Sequence, residues 1–498
     1  MDPSDDEKRK TLDRAMNLKM KAITGAVWKL SERLFTQCIS LAVTVILARL
    51  LTPEDYGMVA VVTIFFTFAN ILITGGLNTA LIQKVNADEE DYSTVFTLSL
   101  IVSVLLYLGL FWTAPAIAEL YQEPDLILLI RVMGLSLPLY AVKSIVCAYT
   151  SASLQFRKFF FATLGGSVFS AVAGITMALK GFGPWALVGQ QLSNTLVDTV
   201  ILYGVTHLRI RLYVSLDRFR SLFSFGWRLL VTSILGTIYN QICPLVIGLK
   251  FTPADLSFYE KGNGFPSMIS DSITSTLSSV LFPVLARVQD DKEKLLEGTR
   301  LFIRTVSYMI FPAMLGFFAI ADTFVGFLLT DKWLPAAYYI RIFCISGMFN
   351  VIAIGNCETI KAMGRSDIYL KIEVLKKTLY FVTLFLFVLV ARTPETLSWS
   401  ALVITGIAIV VNMAPNIKLI GYTLPMQLAD LLPNLLTAAA MCAVVMLADN
   451  LELDIGLKLL VQILTGGVSY LLLSLVTRNQ NLTYCIHSVL ELLGQNKA

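Results

Sequence analysis

The sequence predicts an all-α integral membrane protein of about fourteen transmembrane helices, with two six-helix lobes in parallel pseudo-repeat around a central cavity and two further C-terminal helices. Three observations predict this class. Of 498 residues, 56% are hydrophobic and 15% charged, against about 25% charged in an average soluble domain, and the mean hydropathy is +0.71. The apolar residues arrive in runs of about 20, the helix length that crosses a hydrocarbon layer of about 30 Å. Motifs of the first half also return, in order, in the second.

Residues 1–24 are too polar for the apolar core of a secretory signal and read as a cytoplasmic tail. Six apolar runs follow at 25–48, 56–78, 92–113, 126–148, 159–179 and 184–205, forming an N-lobe over 25–207. Segment 208–225 alternates basic and apolar residues and reads as a cytoplasmic interfacial linker. The C-lobe, 226–419, holds runs at 226–249, 257–284, 303–328, 336–360, 370–390 and 396–417. Two more, at 427–448 and 455–476, fall within 420–477. In the tail 478–498, Leu482, Ile486, Val489, Leu490 and Leu493 recur at helical spacing, the pattern of a cytoplasmic amphipathic helix.

Lys and Arg give the direction. The connections assigned to the cytoplasm carry 26 of them and the opposite side six, which places both termini inside. The net charge of +4 is too small to suggest nucleic-acid binding. Seven cysteines stand singly without CxxC spacing and read as small membrane residues rather than disulfides or metal ligands. With two histidines and no GxxxxGK[ST], nothing in the chain proposes a metal centre, a cofactor or an ATP site.

The repeat rests on four matches. Trp28-Lys29-Leu30 corresponds to Trp227-Arg228-Leu229, and Thr52-Pro53-Glu54-Asp55 to Thr252-Pro253-Ala254-Asp255. Ile130-Arg131 corresponds to Ile340-Arg341, and Cys147 with Ala152 to Cys357 with Ala362. A six-span unit used twice enters the membrane in the same sense both times, giving lobes whose rocking can alternate access to a central cavity.

Ionisable groups inside spans cost about 2.5–3.5 kcal/mol each on insertion scales, so each asks for a reason. Lys29, Arg33 and Gln37 share one face of the first span, with Glu32 one turn from Lys29. Arg33 and Lys143 sit deep enough to favour a cavity role, whereas Lys29, Arg228, Arg131 and Arg341 fit cavity and headgroup positions equally well. The eighth span is rich in hydroxyls and carries Lys261 and Asp271, which favours the wall of a wet cavity over tight helix packing. Lys29, Arg33, Gln37, Lys143, Arg228, Asn240, Lys261 and Asp271 are the candidate substrate-binding residues. Glu32, Asp198, Asp271, Asp322 and Glu358 are the candidate ion-coupling carboxylates. Pro138, Pro244, Pro266, Pro283, Pro312, Pro415 and Pro433 are candidate hinges.

The run Leu47-Ala48-Arg49-Leu50-Leu51-Thr52-Pro53-Glu54-Asp55-Tyr56-Gly57 resembles a signature of bacterial polysaccharide flippases in the multidrug/oligosaccharidyl-lipid/polysaccharide exporter superfamily. Segments Ser279–Leu285, Lys332-Trp333-Leu334-Pro335 and Lys361–Asp367 extend the likeness over nearly the whole chain. The resemblance implies translocation of an undecaprenyl-diphosphate-linked oligosaccharide from the inner to the outer leaflet of the bacterial cytoplasmic membrane. The products it implies are capsule, O-antigen, exopolysaccharide or teichuronic acid. A coupling cation (Na+ or H+), membrane lipids, a polymerase and glycosyltransferases are the implied partners, with no nucleic acid. One departure stands out: where many relatives have Gly-x-Tyr-x-Arg, this chain reads Ser257-Phe258-Tyr259-Glu260-Lys261, so only Lys261 could stand in for the arginine.

Two other functions compete. A cation-coupled multidrug antiporter shares the architecture but is expected to hold acidic rather than basic cavity groups. A membrane polymerase or ligase is expected to carry an extended outer loop, and here the outer connections are short.

Overall fold

A computed structural model describes residues 3–84, 87–206, 208, 210–479 and 481–482. The helices are α1 (Pro3–Leu50), α2 (Pro53–Thr74), α3 (Leu77–Gln83), α4 (Glu89–Tyr121), α5 (Leu126–Met133), α6 (Ser136–Ala152), α7 (Phe156–Leu179) and α8 (Trp185–Thr206), then α9 (Leu216–Lys250), α10 (Pro253–Ala286), α11 (Lys292–Leu328), α12 (Pro335–Ala362), α13 (Ser366–Val390), α14 (Pro394–Leu419), α15 (Leu424–Leu447) and α16 (Ile455–Val476). No strand occurs among the described residues. Eleven spans, α5 and α6 counting as one, are long and apolar enough to cross a membrane. Helices α8, α10 and α13 are of similar length but more polar, and they occupy the places of the expected sixth, eighth and eleventh spans. The chain is a multi-pass, all-α membrane protein.

The recurring Thr-Pro-x-Asp motif is a helix start. At α2 the Thr52 hydroxyl accepts from the Asp55 N–H (3.2 Å) while the Asp55 carboxylate accepts from the Thr52 N–H (2.9 Å). At α10 the same reciprocal bonds join Thr252 and Asp255, at 3.2 and 3.1 Å. Such a capping box satisfies two orphan donors, and proline at the next position costs no hydrogen bond.

Three expected boundaries move. The first 24 residues do not stand apart from the first span, because one unbroken helix runs from Pro3 to Leu50. The second run breaks at Gly75 and Gly76, both at positive φ, and continues as the short α3. The fourth run splits at Gly134–Leu135, where Pro138 can neither donate to the Gly134 carbonyl nor pack its ring against it. The linker is also shorter than expected: it is extended only to Ser215, and 216–225 already belongs to α9, where Leu222 joins the Leu81, Tyr92 and Ile145 core. The amphipathic pattern from Ile486 to Leu493, with Cys485, lies outside the described residues.

The chain forms two compact units, Met1–Leu256 and Ser257–Ala498. In the first, α7 packs on α1 and α8, α6 on α4 and α8, and α9 on α2, α3 and α4. Gly76 is what lets α9 come so close, since a Cβ there would stand 2.2 Å from the Gly226 carbonyl oxygen. In the second, α11 packs on α12, α15 and α16, and α14 on α12 and α13. The seventh helix, which the sequence repeat counts as the opening of the second copy, therefore packs with the first unit.

Candidate functional site

In the first unit, α6 and α8 bring Lys143 and Asp198 together at 2.7 Å. The Asp198 side chain is 4% exposed and that of Lys143 24%. Room for the carboxylate comes from α7, where a Cβ on Gly166 would lie 1.8 Å from Asp198 Oδ1. Oδ1 itself has no hydrogen-bond partner among the described residues, and Lys143 is met by the other oxygen. Helix α1 adds Lys29, which donates to Glu32 at 2.8 Å and lies 4.2 Å from the Phe159 ring centroid. Cys147, one turn from Lys143, feels the charges of Lys143, Asp198, Lys29 and Glu32. Two lysines and two carboxylates from three helices thus pair off near one thiol, with no net formal charge.

Beside this cluster lies a polar cavity of about 120 Å³. Thr67 and Asn70 of α2, Ser136 and Tyr140 of α6, and Gln191 and Thr195 of α8 line it. Along α6, Ser136, Tyr140, Lys143 and Cys147 follow one helical face, and along α8 so do Gln191, Thr195 and Asp198. The cavity and the ion pair share these two stripes.

The second unit holds a comparable cluster. Lys361 donates to Glu358 at 3.0 Å and lies 4.6 Å from the Tyr369 ring centroid. Lys376 is ion-paired with Glu373 on α13. Cys357 feels all four charges, and its thiol donates to Asn412 of α14 at 2.9 Å. Another network docks α15. There the buried Asp430 accepts two hydrogen bonds from Arg300, one from Arg304 and one from the Tyr422 hydroxyl. Between α10, α11, α15 and α16 lies an apolar hollow of about 320 Å³, lined by Phe317, Met441, Ile463, Gly466 and Gly467 among others.

Of the sequence-predicted residues, Lys29, Glu32, Lys143 and Asp198 are brought together. Arg33 is exposed and Gln37 half-buried on α1. On α9, Arg228 is exposed with its guanidinium 5.9 Å from the Trp227 ring centroid, and Asn240 is exposed. Lys261 is half-buried and Asp271 exposed on α10. Several α10 hydroxyls bond within their own helix: Ser272 donates to Met268 O, Thr274 to Ser270 O and Ser267 to Asn263. Asp322 pairs with Arg341, and Glu358 with Lys361. Arg341 and Glu358 share α12 and stand about 25 Å apart along it by helix rise, so Asp322 and Glu358 belong to different parts of the unit. The sequence reading missed Lys361, Glu373 and Lys376 as site residues: it counted the two lysines only toward orientation and gave Glu373 no role. The signal was there in the three-residue spacing of Glu358–Lys361 and Glu373–Lys376, the same as that of Lys29–Glu32. Among the described residues, no group of three His, Cys, Asp or Glu could hold a metal ion.

Comparison with known proteins places this architecture. The Succinoglycan biosynthesis transport protein ExoT of Rhizobium meliloti (strain 1021) is 28% identical over 314 residues, 63% of this chain and 64% of ExoT, so the match spans less than two thirds of that relative. The Teichuronic acid biosynthesis protein TuaB of Bacillus subtilis (strain 168) is 24% identical over 472 residues, covering 92% of this chain and 96% of TuaB. The Lipopolysaccharide biosynthesis protein WzxC of Escherichia coli (strain K12) is 23% identical, covering 73% and 75%. Among solved structures, the fold matches the lipid II flippase MurJ in an inward closed conformation with a TM-score of 0.73 at 14% identity, over 92% of this chain and 99% of that one. It also matches an inward-facing multidrug resistance MATE family transporter with a TM-score of 0.57 at 16% identity, over 83% and 98%. The sequence pattern of the family described as "Polysaccharide biosynthesis protein" matches residues 46–338, more than half of the chain, and the chain belongs to that family.

Proposed function

We propose that the protein is a flippase that carries a prenyl-diphosphate-linked oligosaccharide from the inner to the outer leaflet of the bacterial cytoplasmic membrane for cell-surface polysaccharide assembly. The observation that carries this reading is the pairing of Lys29 with Glu32 and of Lys143 with Asp198 on long helices of a multi-pass membrane protein. A lysine within a span is retained against a cost of about 2.5–3.5 kcal/mol, and its compact ammonium suits a phosphate oxygen. The counter-carboxylates keep the resting cluster neutral, and an arriving phosphate can take their place on the lysines. Glu32 or Asp198, released from its lysine, would then be free to bind a coupling proton or Na+.

The apolar hollow of the second unit supports a substrate with a lipid tail, since at about 320 Å³ it is as large as a small ligand pocket of roughly 300–1,000 Å³. Membrane potential would assist outward movement of the anionic headgroup by about 2.3 kcal/mol per charge per 100 mV. Family membership favours the polysaccharide pathway over the multidrug reading, since relatives named for succinoglycan, teichuronic acid and lipopolysaccharide biosynthesis align with this chain.

The test is translocation of a fluorescent undecaprenyl-diphosphate oligosaccharide in vesicles containing the purified protein. Faster exposure on the far leaflet than in empty vesicles is the expected result. A rate equal to that of empty vesicles, from folded protein and with either a proton or a Na+ gradient imposed, would refute the reading.

A further inference from the structure

The two charge clusters are related by the internal repeat, although their charged residues are not. Helices α6 and α12 end in the same turn. The Gln155 N–H donates to Thr150 O at 2.9 Å and the Arg365 N–H to Ile360 O at 3.2 Å, with Leu154 and Gly364 at positive φ between them. Cys147 and Cys357 stand at the same distance before this turn. In each unit two lysine–carboxylate pairs accompany the cysteine: Lys29–Glu32 and Lys143–Asp198 in the first, Lys361–Glu358 and Lys376–Glu373 in the second, where Lys361 also lies 4.6 Å from the Tyr369 ring centroid on the helix of Lys376. At the spacing that superposes Cys147 on Cys357, however, Lys376 falls on Gly166, Glu373 on Thr163, and Lys143 on Ala353. In the first unit Asp198, reaching over from α8, occupies the space a Gly166 side chain would need. The second unit fills the corresponding place from α13 itself. Lysine–carboxylate pairs thus stand near the corresponding cysteine in each unit, carried by different residues.

A purely structural ion pair carries no such constraint. If one copy lost its pair, apolar packing could replace it at little or no cost in stability. Recurrence of paired lysines beside both cysteines, on different carriers, is what a requirement for the charges rather than for the packing would leave. Their exposure fits a ligand as well. Lys361 and Lys376 side chains are 35% and 18% exposed, and those of Lys29 and Lys143 are 51% and 24%. Each ammonium has three donors, so a lysine held by one carboxylate can still offer donors to an anion.

We propose that Lys361 and Lys376 form a second phosphate-binding station, the counterpart in the second unit of Lys29 and Lys143, which holds the diphosphate of the transported lipid. This rests on the flippase reading above.

The experiment uses the full chain in nanodiscs of phosphatidylcholine, with undecaprenyl diphosphate as the probe. Amine acetylation is followed by mass spectrometry at Lys361 and Lys376, and at the exposed Lys294 as reference. Saturating probe is expected to slow acetylation of Lys361 and Lys376 about tenfold, as loss of about 1.4 kcal/mol of accessibility implies, and to leave Lys294 unchanged. Glu358→Gln/Lys361→Gln with Glu373→Gln/Lys376→Gln removes the lysines together with their counter-charges and is expected to weaken probe binding about tenfold or more. Lys361→Arg/Lys376→Arg, which keeps the charge, is expected to restore most of that binding.

Unchanged acetylation in wild-type protein that binds the probe and translocates the labelled lipid would overturn the second station and leave the flippase reading standing. Wild-type protein that neither binds nor translocates would overturn both. Equal protection in phosphatidylglycerol nanodiscs without the probe would assign the station to a phospholipid headgroup and overturn the substrate assignment. The acetylation readout needs no variant, so misfolding of the quadruple variant would not remove the test.

Discussion

Replacing Asp198 with Asn leaves the Lys143 ammonium facing a neutral amide in a site the carboxylate occupies at 4% exposure. Removing one partner of a buried ion pair costs about 3–5 kcal/mol, whereas removing both is often close to neutral. Lys143 keeps 24% of its surface, which places Asp198→Asn at the lower end, about 3 kcal/mol. Lys143→Gln/Asp198→Asn should cost only about 1 kcal/mol, because two amides can bond to each other. The interaction energy in a double-mutant cycle is then about 2 kcal/mol or more. Gly166→Ala gives an independent arm: its methyl would stand 1.8 Å from Asp198 Oδ1 and must push the carboxylate away from Lys143. The same change made on top of Asp198→Ala should be far milder. Reversible unfolding of the detergent-solubilised protein measures all of these. If the double variant were destabilised by the sum of the single effects, or Gly166→Ala cost the same with and without Asp198, the pair would carry no coupling and the reasoning would fail.

Other perturbations test other parts of the structure. Gly57→Ala would place a Cβ 1.8 Å from the Pro253 carbonyl oxygen; because backbone must move, a severe loss of folded yield in size-exclusion chromatography is expected. Leu154 holds φ 54° where its repeat counterpart is Gly364, so Leu154→Gly should raise stability by about 1 kcal/mol, and Gly364→Ala should lower it by a similar amount, both in thermal unfolding. Asp430→Ala leaves Arg300 and Arg304 without their shared acceptor, and it should speed proteolysis of the connection before α15. The Asp291 carboxylate caps α11 and is held below the usual carboxylate range by hydrogen bonds from the Lys294 side chain and backbone. Its stabilising effect should be fully present above the unfolded value near 3.8 and fade as pH falls through the lowered native one. Asp291→Asn should remove that part of the acid dependence.

Run length and charge asymmetry made the helices legible because both follow from a single-residue property read along the chain. The Thr-Pro-x-Asp motif was visible as a repeat before its chemistry as a cap was. Lys29–Glu32 could be read because helical spacing brings its members together. Lys143 and Asp198 lie 55 positions apart, and Arg300 and Asp430 lie 130 apart. Such pairs depend on which helices become neighbours, and no local pattern encodes that. The second cluster went unread for a different reason. Lys361 and Lys376 were counted toward orientation, and that hid the way α12 lays Lys361 on Tyr369 of α13, the helix that carries the Glu373–Lys376 pair. Packing of α9 with the first unit was equally hidden, because it depends on the close approach at Gly76 and Gly226 rather than on the repeat.

The short connection before α9 also has an arithmetic of its own. Backbone N–H groups of Arg211, Tyr213 and Ser215 donate in turn to the hydroxyls of Ser93, Thr97 and Thr94 on α4. Alternate residues of an extended segment face opposite sides, so this connector is read in steps of two against a ladder of hydroxyls. One residue inserted after Arg211 would turn the wrong amides toward α4, while two would restore the facing and leave only slack to absorb. Linker variants of this protein should therefore sort by parity before they sort by length.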